Sequence, residues 1–457
     1  MERKTIREVT QKITLPTDVR YICDKLENAG YEAYAVGGCV RDSLLGVTPK
    51  DWDITTSALP EDVKKVFGRT IDTGLQHGTV TVMRGGTGYE VTTYRIDGDY
   101  GDGRHPDNVR FTSKLEEDLC RRDFTINAMA YNERDGLVDL FGGCEDLEKG
   151  IIRSVGRAEE RFGEDALRMM RAIRFSARLG FAIDDEIIRA IDKLHDNLKA
   201  VSAERITTEL IGIICSDHPD KIRIAYETGL TSVFFPEFDK AMKTPQKHIH
   251  HKYDVGDHII ESMKSIAPDK VRRLSMLLHD IGKPETLRID ENGITHFKGH
   301  CEVGAEMGRQ ILRRWKLDNN TVDSVVKMIR YHDYGNDLKP TPKNVRRAIA
   351  KIGKDLYPMY IEVKHADTLA QSDYMKEEKL AELKEWKMLY DEIISKGECV
   401  EIRDLAIGGN DLMEEGFKPG PEIGRILNEL LKEVIDDPAM NTKEILISRA
   451  KSISNEK

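Results

Sequence analysis

Residues 33–56, AYAVGGCVRDSLLGVTPKDWDITT, carry the features on which the predicted fold depends. The run AYAV predicts a strand that ends on Gly37 and Gly38, and CVRDSLLG then predicts a helix. Glycines at such a turn let the backbone approach a phosphate closely, while the helix N-terminus and Arg41 supply donors. We therefore predict a cradle for a triphosphate; the alternative is an ordinary tight turn, where glycine is the usual residue.

Asp51 and Asp53 are placed in a short predicted strand, where a period of two points both carboxylates to one face. Paired carboxylates suit Mg²⁺, which takes the rest of its shell from water and substrate phosphates. In GYEVTTYR, Glu90 shares a face with Thr92 and Tyr94 and is a candidate third carboxylate. The alternative for each is a solvated surface acid. Such a set predicts phosphoryl-transfer chemistry at a catalytic site.

The composition describes a large protein without membrane spans. The chain has 457 residues, 39% hydrophobic and 33% charged, and no apolar run approaches the roughly 20 residues of a bilayer span. Its charged N-terminus has no secretory pattern, so we expect a cytoplasmic, multidomain protein. Seven cysteines without a Cys-x-x-Cys pair argue against a disulfide framework or a zinc knuckle. A net charge of −10 argues against indiscriminate nucleic-acid binding.

The residue pattern changes along the chain. Residues 31–150 are rich in strand-like runs and glycine turns, which predicts a small mixed or antiparallel sheet. Helical periods dominate from about residue 155, and eight of the thirteen histidines fall between His248 and His332. We predict an α+β fold. Its expected domains are a head at 1–150, a neck at 151–215, a body at 216–245, a histidine-rich unit at 246–375 and a body and tail at 376–457.

Two further motifs carry a resemblance to a known family. Together with the opening stretch, RRDFTINAMAYN at 121–132 and GEDALRMMRAIRF at 163–175 resemble the class II tRNA nucleotidyltransferases, the CCA-adding enzymes, and the related bacterial poly(A) polymerases. The segment GGNDLMEEGFKPGPEIGRIL at 408–427 is similar to that family's tail. The resemblance implies a polymerase beta-like nucleotidyltransferase head, followed by helical neck, body and tail. It also implies tRNA as partner, CTP and ATP as substrates without a template, and Mg²⁺ as cofactor.

The resemblance also implies roles for individual residues. Asp51 and Asp53 would bind Mg²⁺, with Glu90 beside them. The triphosphate and ribose would contact residues of the glycine turn and of the RRDF motif, namely Gly37, Gly38, Arg41, Arg122, Asp123 and Asn127.

Asp165 and Arg168 are expected three residues apart on one helix, so their side chains would be neighbours. An aspartate accepts and an arginine donates, which matches the amino donor and ring-nitrogen acceptor of cytosine and adenine but not uracil or guanine. The alternative is a simple surface ion pair. The same predicted helix carries an arginine face, with Met169, Ile173 and Ala177 opposite. That face comprises Arg161, Arg168, Arg171, Arg174 and Arg178. With Asp165 and Arg168, Arg171 and Arg174 are candidate nucleotide-binding residues, and the alternative is a solvated arginine stripe.

The glycine-rich segment DGDYGDGRHP at 97–106 follows a predicted strand. In the family, a flexible loop at this place is associated with addition of the terminal A, and it is shortened in CC-only enzymes. The segment looks intact, which favours complete CCA addition. A-only enzymes that keep the loop stay an alternative.

The histidine-rich unit resembles the HD phosphohydrolase superfamily, whose metal ligands run in the order H, HD and D. The residues that match this order are His258, His279, Asp280 and Asp367. His300 and His332 are candidates for a second metal. His and carboxylate ligands suit a divalent transition metal of the Mn, Fe, Ni or Zn class. In the family such a unit is associated with phosphatase or cyclic phosphodiesterase action on RNA 3′ ends.

The sequence thus favours a CCA-adding tRNA nucleotidyltransferase with a second, hydrolytic metal site. Poly(A) polymerase or A-adding activity is the alternative within the same class. An HD phosphohydrolase with an RNA-binding head is the alternative of another class, and a noncatalytic tRNA-binding protein is a weaker one. The oligomeric state stays open.

Overall fold

The computed structural model describes residues 13–97 and 109–455. The chain divides into two compact units, with the boundary between Pro236 and Glu237. Within the described ranges, no helix has both the length and the apolar character that crossing a lipid bilayer requires. The finer domain divisions expected above stay predictions.

The first unit is built around a mixed sheet. Its strands are β1 (Ala33–Val36), β2 (Ile54–Thr56), β3 (Thr70–Gly74), β4 (Thr79–Arg84), β5 (Thr87–Thr93), β6 (Arg95–Asp97), β7 (Val109–Phe111), β8 (Met129–Asn132), β9 (Gly136–Asp139), β10 (Ile151–Ile152) and β11 (Ala182–Ile183). Seven of them form one sheet in the order β3-β4-β5-β2-β1-β8-β9. Only β2 and β5 pair in parallel within this sheet. The mixed-sheet prediction for this part of the chain is confirmed.

The interior position of β1 fixes where its end lies. All four residues of β1 are buried, and β1 pairs with β2 on one side and β8 on the other. Tyr34 and Val36 pack with Tyr94, Leu119 and Ala130 in one apolar cluster. Because this strand is held on both edges and by its side chains, the turn that follows it has a rigid base.

Helices make up the rest of the first unit. They are α1 (Thr17–Asn28), α2 (Gly38–Leu44), α3 (Pro60–Val66), α4 (Leu115–Cys120), α5 (Gly143–Lys149), α6 (Ala158–Glu164), α7 (Leu167–Leu179), α8 (Asp185–Leu194), α9 (Ala203–Ile214), α10 (Ile222–Glu227) and α11 (Thr231–Phe234). In α7, Met169, Ile173 and Ala177 are fully buried, as the amphipathic pattern predicts.

The prediction of one continuous helix through Asp165 and Arg168 is wrong. Helix α6 ends at Glu164, and Asp165 has extended backbone angles before α7 begins at Leu167. The Asp165 carboxylate accepts a hydrogen bond from the Leu167 N–H at 3.0 Å. Aspartate competes with the helical backbone in this way, which favours helix ends over helix interiors. Arg161 therefore lies on α6, apart from the other four arginines of the predicted face.

The placement of Asp51 and Asp53 within a strand is also wrong. Strand β2 begins at Ile54, and the Asp53 carbonyl accepts the last ladder bond, from Val36 N–H at 3.0 Å. Aspartate is disfavoured in strands, and the two residues occupy the segment that leads into β2. The predicted loop at 97–106 lies, beyond Asp97, outside the described residues.

The second unit is helical apart from one short hairpin. Its elements are α12 (Pro236–Met242), α13 (Val255–Lys264), α14 (Lys270–Leu278), α15 (Lys283–Thr286), β12 (Arg288–Ile289), β13 (Thr295–His296), α16 (His300–Arg314), α17 (Asn319–Tyr331), α18 (Pro342–Ile352), α19 (Tyr357–Ala370), α20 (Lys376–Ser395), α21 (Gly409–Glu414), α22 (Pro421–Asp436) and α23 (Lys443–Asn455). Helices α13, α14 and α19 contact one another, and α17 packs on α14 and α16. This packing brings distant histidines to one place.

Candidate active site and histidine cluster

A polar cavity of about 770 Å³ opens in the first unit beside the end of β1. The residues that line it are Gly37, Gly38, Arg41, Asp53, His77, Arg95, Arg121, Arg122, Asp123, Asn127, Asp165, Leu167, Arg168, Arg171, Arg174, Phe175, Arg178 and Arg205. Nine of these are arginines and three are aspartates. Such an excess of guanidinium groups favours a polyanionic ligand.

The glycine turn lies at the edge of this cavity. Gly37 has φ +80°, and its N–H donates to the Met129 carbonyl at 3.0 Å. A Cβ at Gly37 would approach Arg122 Nη1 to 2.9 Å. Both the backbone conformation and the close guanidinium therefore require glycine here. The predicted strand, glycine turn and helix are confirmed in this segment.

Arg41 is a buried cation held in a fixed position. Its Nε and Nη2 donate to Asp42 Oδ1 at 2.8 and 2.7 Å, and its Nη1 donates to Asn127 Oδ1 at 2.5 Å. The guanidinium also lies 5.2 Å from the ring centre of Phe175. Burial lowers the pKa of Arg41, although the Asp42 carboxylate opposes that shift. The group is thus positioned before any ligand arrives.

Asp53 lines the cavity, whereas its predicted partners, Asp51 and Glu90, do not. Partial burial raises the pKa of Asp53; Arg122 lowers it and the Asp51 carboxylate raises it. The parallel register of β2 and β5 pairs Ile54 with Val91, so Glu90 precedes Val91 as Asp53 precedes Ile54. Glu90 is exposed. Neither Glu90 nor Asp51 is among the described residues that line the cavity. The mutual repulsion of Asp51 and Asp53 fits a site that a divalent cation would neutralise.

The RRDF motif forms a second wall. Asp123 Oδ2 accepts from Arg171 Nε and Nη2 at 2.8 and 2.6 Å, and Oδ1 accepts from Asn127 Nδ2 at 3.1 Å. Burial opposes ionisation of Asp123, but the Arg171 charge lowers its pKa to about 2. Arg122 donates to buried Asp118 at 3.4 Å, and its buried Nε meets no acceptor among the described residues. Arg122 therefore retains hydrogen-bonding capacity for a ligand.

Asp165 and Arg168 both line the cavity, each held by a different partner. Asp165 Oδ2 accepts from Arg205 Nη2 at 2.7 Å. Arg168 donates from Nη1 to Glu164 Oε2 at 2.6 Å and from Nη2 to the Arg121 carbonyl at 3.1 Å. The bonds therefore orient the acceptor and the donor separately. No hydrogen bond joins Asp165 and Arg168 through their side chains in the described structure, unlike the surface pair considered as the alternative.

The arginine face of α7 also lines the cavity. Arg171 pairs with Asp123, Arg174 pairs with buried Glu209, and Arg178 donates to Asp42 at 3.2 Å. Arg161, on the preceding helix, pairs with Glu164 at 3.0 Å and does not line the cavity.

Sequence reasoning missed several lining residues, most importantly Arg205. Arg205 comes from SAERITTEL, forty residues beyond its partner Asp165. Glu209, four residues later on α9, holds Arg174. This i, i+4 arginine and glutamate on one helix face was the available signal. His77, Arg95, Arg121, Leu167 and Phe175 were also missed.

Gly37→Ala and Gly46→Ala form a matched pair of variants. Gly46 has φ +73° and no neighbouring atom within 4 Å of the place that a methyl group would take, so Gly46→Ala costs about 1–2 kcal/mol of backbone strain. Gly37 combines φ +80° with ψ −125°, a conformation that residues other than glycine rarely adopt, so Gly37→Ala costs more. Only Gly37→Ala displaces Arg122. We expect it to raise the Kd for a nucleoside triphosphate by roughly 10- to 100-fold, the worth of a charged hydrogen bond. Gly46→Ala should lower the free energy of unfolding by about 1–2 kcal/mol and leave triphosphate affinity unchanged; equal affinities in the two variants would contradict the cradle.

A second cluster of polar side chains is buried in the second unit. The Nε2 atom of His258, which lies on α13, is 2.8 Å from Asp367 Oδ1 and 3.3 Å from the Nε2 atom of His279. Asp280 Oδ2 lies 3.2 Å from His279 Nε2 and 3.5 Å from His258 Nε2. Burial opposes ionisation of Asp280, but His279 and Lys283 lower its pKa well below the usual range. The structure thus brings together the four residues that match the HD order.

His300 and His332 approach the other oxygen of the same aspartate. Their Nε2 atoms lie 3.2 Å apart, and each lies 3.5 Å from Asp280 Oδ1. Backbone carbonyls accept from three Nδ1–H groups, those of His279, His300 and His332, at 2.7–2.9 Å. A carbonyl only accepts, so each of these rings, when neutral, presents its Nε2 lone pair to the cluster. This arrangement is typical of histidines that bind metals.

The chemistry of this donor set fits divalent cations. Asp280 has both oxygens buried, and neither accepts a hydrogen bond of good geometry from the described residues, although Lys283 Nζ lies 2.7 Å from Oδ2. A cavity of about 560 Å³ beside the cluster is lined by Lys283, Lys364 and Lys379, among others. Burial lowers the pKa of Lys364 to about 8. Lysines beside buried carboxylates and imidazoles suit a phosphate ligand.

Three sequence models of protein families match the chain. They are the Poly A polymerase head domain at residues 33–153, the probable RNA and SrmB-binding site of polymerase A at 180–242, and the putative tRNA nucleotidyltransferase domain 2 at 286–450. The first contains the glycine turn and the RRDF motif.

Relatives match almost the whole chain. The CCA-adding enzyme of Leuconostoc mesenteroides is 35% identical over 443 residues, covering 96% of this chain and 97% of that one. The CCA-adding enzyme of Ligilactobacillus salivarius is 35% identical over 451 residues, covering 95% and 96%. This chain belongs to the CCA-adding enzyme family. The resemblance identified from its motifs is confirmed, and the poly(A) polymerase alternative is not favoured.

Solved CCA-adding enzymes share the fold. The crystal structure of the Bacillus stearothermophilus CCA-adding enzyme in complex with CTP is 30% identical, with a TM-score of 0.73, and covers 97% of this chain and 100% of that one. The Thermotoga maritima CCA-adding enzyme complexed with tRNA-CCA is 21% identical, with a TM-score of 0.61 over 98% and 99% of the chains, and supports the fold alone.

Proposed function

We propose that this chain adds the 3′-terminal CCA to tRNA, using CTP and ATP and releasing diphosphate. The observation that carries the proposal is one cavity that combines Asp53, a wall of arginines, and the separately held Asp165 and Arg168. Membership of the CCA-adding enzyme family supports the same conclusion. The CTP complex of the Bacillus stearothermophilus enzyme indicates one of the substrates.

The arginines bind and orient the triphosphate. Arg41 is fixed by Asp42 and Asn127, and Arg122 keeps a buried Nε–H for a phosphate oxygen. Gly37 and Gly38 leave room for the backbone to approach the same group. Asp123 and Asn127 line the same cavity and would accept from and donate to the ribose hydroxyls. A substrate held this way loses little further freedom before reaction.

The reacting groups meet at the Asp53 edge. The tRNA 3′ hydroxyl oxygen attacks the α-phosphorus, the bond from that phosphorus to the β-phosphate oxygen breaks, and diphosphate leaves. Mg²⁺ bound by Asp51 and Asp53 would neutralise phosphate charge and promote loss of the hydroxyl proton. Glu90 lies at the next strand in register and would support the same cation.

Base choice falls to Asp165 and Arg168. Arg205 and the Leu167 N–H each occupy one acceptor site on Asp165, and a carboxylate has further lone pairs for an exocyclic amino group. Arg168 uses three of its five N–H groups on Glu164, Arg161 and Arg121, which leaves two for a ring nitrogen. Cytosine and adenine fit this pattern, while uracil and guanine present a clash.

The proposal is tested by incubating purified protein with tRNA that lacks CCA. With CTP and ATP together, we expect addition of three nucleotides in the order C, C, A, read by sequencing the 3′ ends. Extension with A alone, or a lengthening A tail, would overturn CCA addition in favour of A-adding or poly(A) activity.

A second activity is favoured by the histidine cluster of the second unit. We infer that His258, His279, Asp280 and Asp367 bind a divalent transition metal as an HD-type site. The buried Asp280 between two sets of histidines carries this inference. The metal would activate water for attack on a phosphate ester. The lysines beside the cavity would bind the phosphate of an RNA 3′ end.

Asp280→Asn is expected to remove phosphohydrolase activity while leaving nucleotide addition intact. The variant keeps the size of the side chain but loses the charge that both sets of histidines share. Hydrolysis of bis-p-nitrophenyl phosphate with added Mn²⁺ should fall by at least about 100-fold. The exposed Asp323→Asn on α17 is the control. Undiminished hydrolysis in Asp280→Asn would remove the cluster from the reaction.

A further inference from the structure

Cys301 is a potential ligand that the HD order does not include. It follows His300 in the first turn of α16, and its Sγ lies 3.6 Å from His300 Nε2. The same sulfur lies 3.9 Å from His332 Nδ1 and 4.0 Å from Asp333 Oδ2. One donor atom from each of these four residues lies within 4.8 Å of the other three. A thiol, two imidazoles and a carboxylate thus converge on one point.

Three of the separations within this group match the edges of a tetrahedral metal site. Zinc bonds of about 2.0–2.1 Å to nitrogen or oxygen and about 2.3 Å to sulfur give tetrahedral edges of roughly 3.3 Å and 3.6 Å. The Nε2 atoms of His300 and His332 are 3.2 Å apart, and His300 Nε2 to Asp333 Oδ2 is 3.4 Å. The sulfur to His300 Nε2 distance is 3.6 Å. The separations of 4.0 Å from the sulfur to Asp333 Oδ2 and 3.8 Å from His332 Nε2 to Asp333 Oδ1 are longer, so the Asp333 carboxylate would have to move closer on binding.

The other cysteines of the chain have different surroundings. Cys23, Cys39 and Cys399 are buried, and Cys39 donates to backbone carbonyls. Cys120 is exposed at the end of α4. Only Cys301 belongs to a group of metal-ligand side chains among the described residues. The position of Cys301 beside other metal-ligand side chains is therefore specific to this cluster and is not shared by the other described cysteines.

We propose that Cys301, His300, His332 and Asp333 form a mixed thiolate, imidazole and carboxylate site for a thiophilic divalent cation such as Zn²⁺, Co²⁺ or Fe²⁺. The proposal rests on the HD-type site inferred above and specifies its second metal position. On binding, the Cys301 thiol releases one proton to solvent and the sulfur forms a bond to the cation. A soft sulfur donor selects against Mg²⁺ and Mn²⁺, which prefer oxygen ligands. Asp280 Oδ1, 3.5 Å from both histidines, links this position to the neighbouring one.

The test uses Co²⁺ as the probe, titrated into the full-length protein after chelation. We expect visible d–d absorption together with a near-ultraviolet thiolate-to-cobalt charge-transfer band. Cys301→Ser should lose that band and keep visible absorption from the remaining ligands. Cys120→Ser, the matched variant at an exposed thiol, should retain both. Zn²⁺ should then compete at least about 10-fold less well in Cys301→Ser than in the parent, with Mn²⁺ nearly unaffected.

The outcomes separate this inference from the activity it rests on. Cobalt binding without a thiolate band, or a band that survives Cys301→Ser, overturns the role of Cys301 and leaves the HD-type site standing. Absence of cobalt binding by the parent protein overturns the HD-type site as well. The thermal unfolding midpoint of Cys301→Ser, which should lie close to that of the parent, verifies that the second unit is folded, and nucleotide addition should be unchanged.

Discussion

Asp53→Ala is expected to lower kcat for CTP addition by roughly 10³-fold. Several kcal/mol of transition-state stabilisation depend on the cation that this carboxylate would hold, and each ~1.4 kcal/mol is tenfold in rate. Among Asp51, Asp53 and Glu90, only Asp53 lines the cavity. Single-turnover addition of CTP to a tRNA that ends in the first C of the CCA sequence measures the chemical step directly.

The stability of the Asp53 variant separates catalysis from folding. Partial burial raises the pKa of Asp53, and the neighbouring Asp51 carboxylate raises it further. Removing the group relieves this repulsion, so the free energy of unfolding should stay the same or rise slightly. The exposed Asp72→Ala on β3 is the control for a general loss of charge. Near-normal addition by Asp53→Ala would exclude Asp53 from the reaction, and phosphohydrolase activity should be unchanged in both variants.

Asp165→Asn is expected to change which nucleotides are accepted. The amide keeps an oxygen to accept from the Leu167 N–H, so the start of α7 should survive. It also places an N–H₂ donor where the carboxylate could only accept. One base contact is worth about 1–3 kcal/mol, so the preference for CTP over UTP in kcat/KM should fall by roughly 10- to 100-fold. Addition of each single nucleotide triphosphate to the same tRNA measures this ratio.

Two results would tell against this role for Asp165. An unchanged ratio of CTP to UTP would show that base choice lies elsewhere in the cavity. A similar loss in Asp185→Asn, an exposed aspartate at the start of α8, would indicate a general effect of charge. Arg205 loses a charged acceptor in Asp165→Asn, so a modest decrease in thermal stability is expected alongside the change in selectivity.

Local features of this protein were predictable because neighbouring residues suffice to specify them. The turn at Gly37 needs a positive φ and leaves no room for a side chain. Both requirements are indicated by a predicted strand that is followed by Gly-Gly and then by a helix. The apolar side of α7 follows from a period of 3.6 residues. The HD order likewise named residues as distant as His258 and Asp367, which the structure places 2.8 Å apart. There the resemblance to a superfamily supplied what spacing could not.

Helix interruption was not predictable from periodicity. The arginines from Arg161 to Arg178 follow one helical period, yet the chain breaks at Asp165. The break depends on two bonds that compete with the helix, one to Leu167 N–H and one from Arg205 on another helix. The second comes from forty residues away. A periodicity analysis of one helical segment cannot predict a partner that comes from another helix.

The sequence alone determines which side chains can bind phosphate, base and metal, because each type of side chain has its own charge and hydrogen-bonding capacity. Which of them face one another depended on packing between helices and strands far apart in the chain. Arg205 holds Asp165, Glu164 holds Arg168, and Cys301 joins His332 for this reason. A hydrogen bond or a coordination bond acts over about 2–4 Å, and only folding brings such groups within that range.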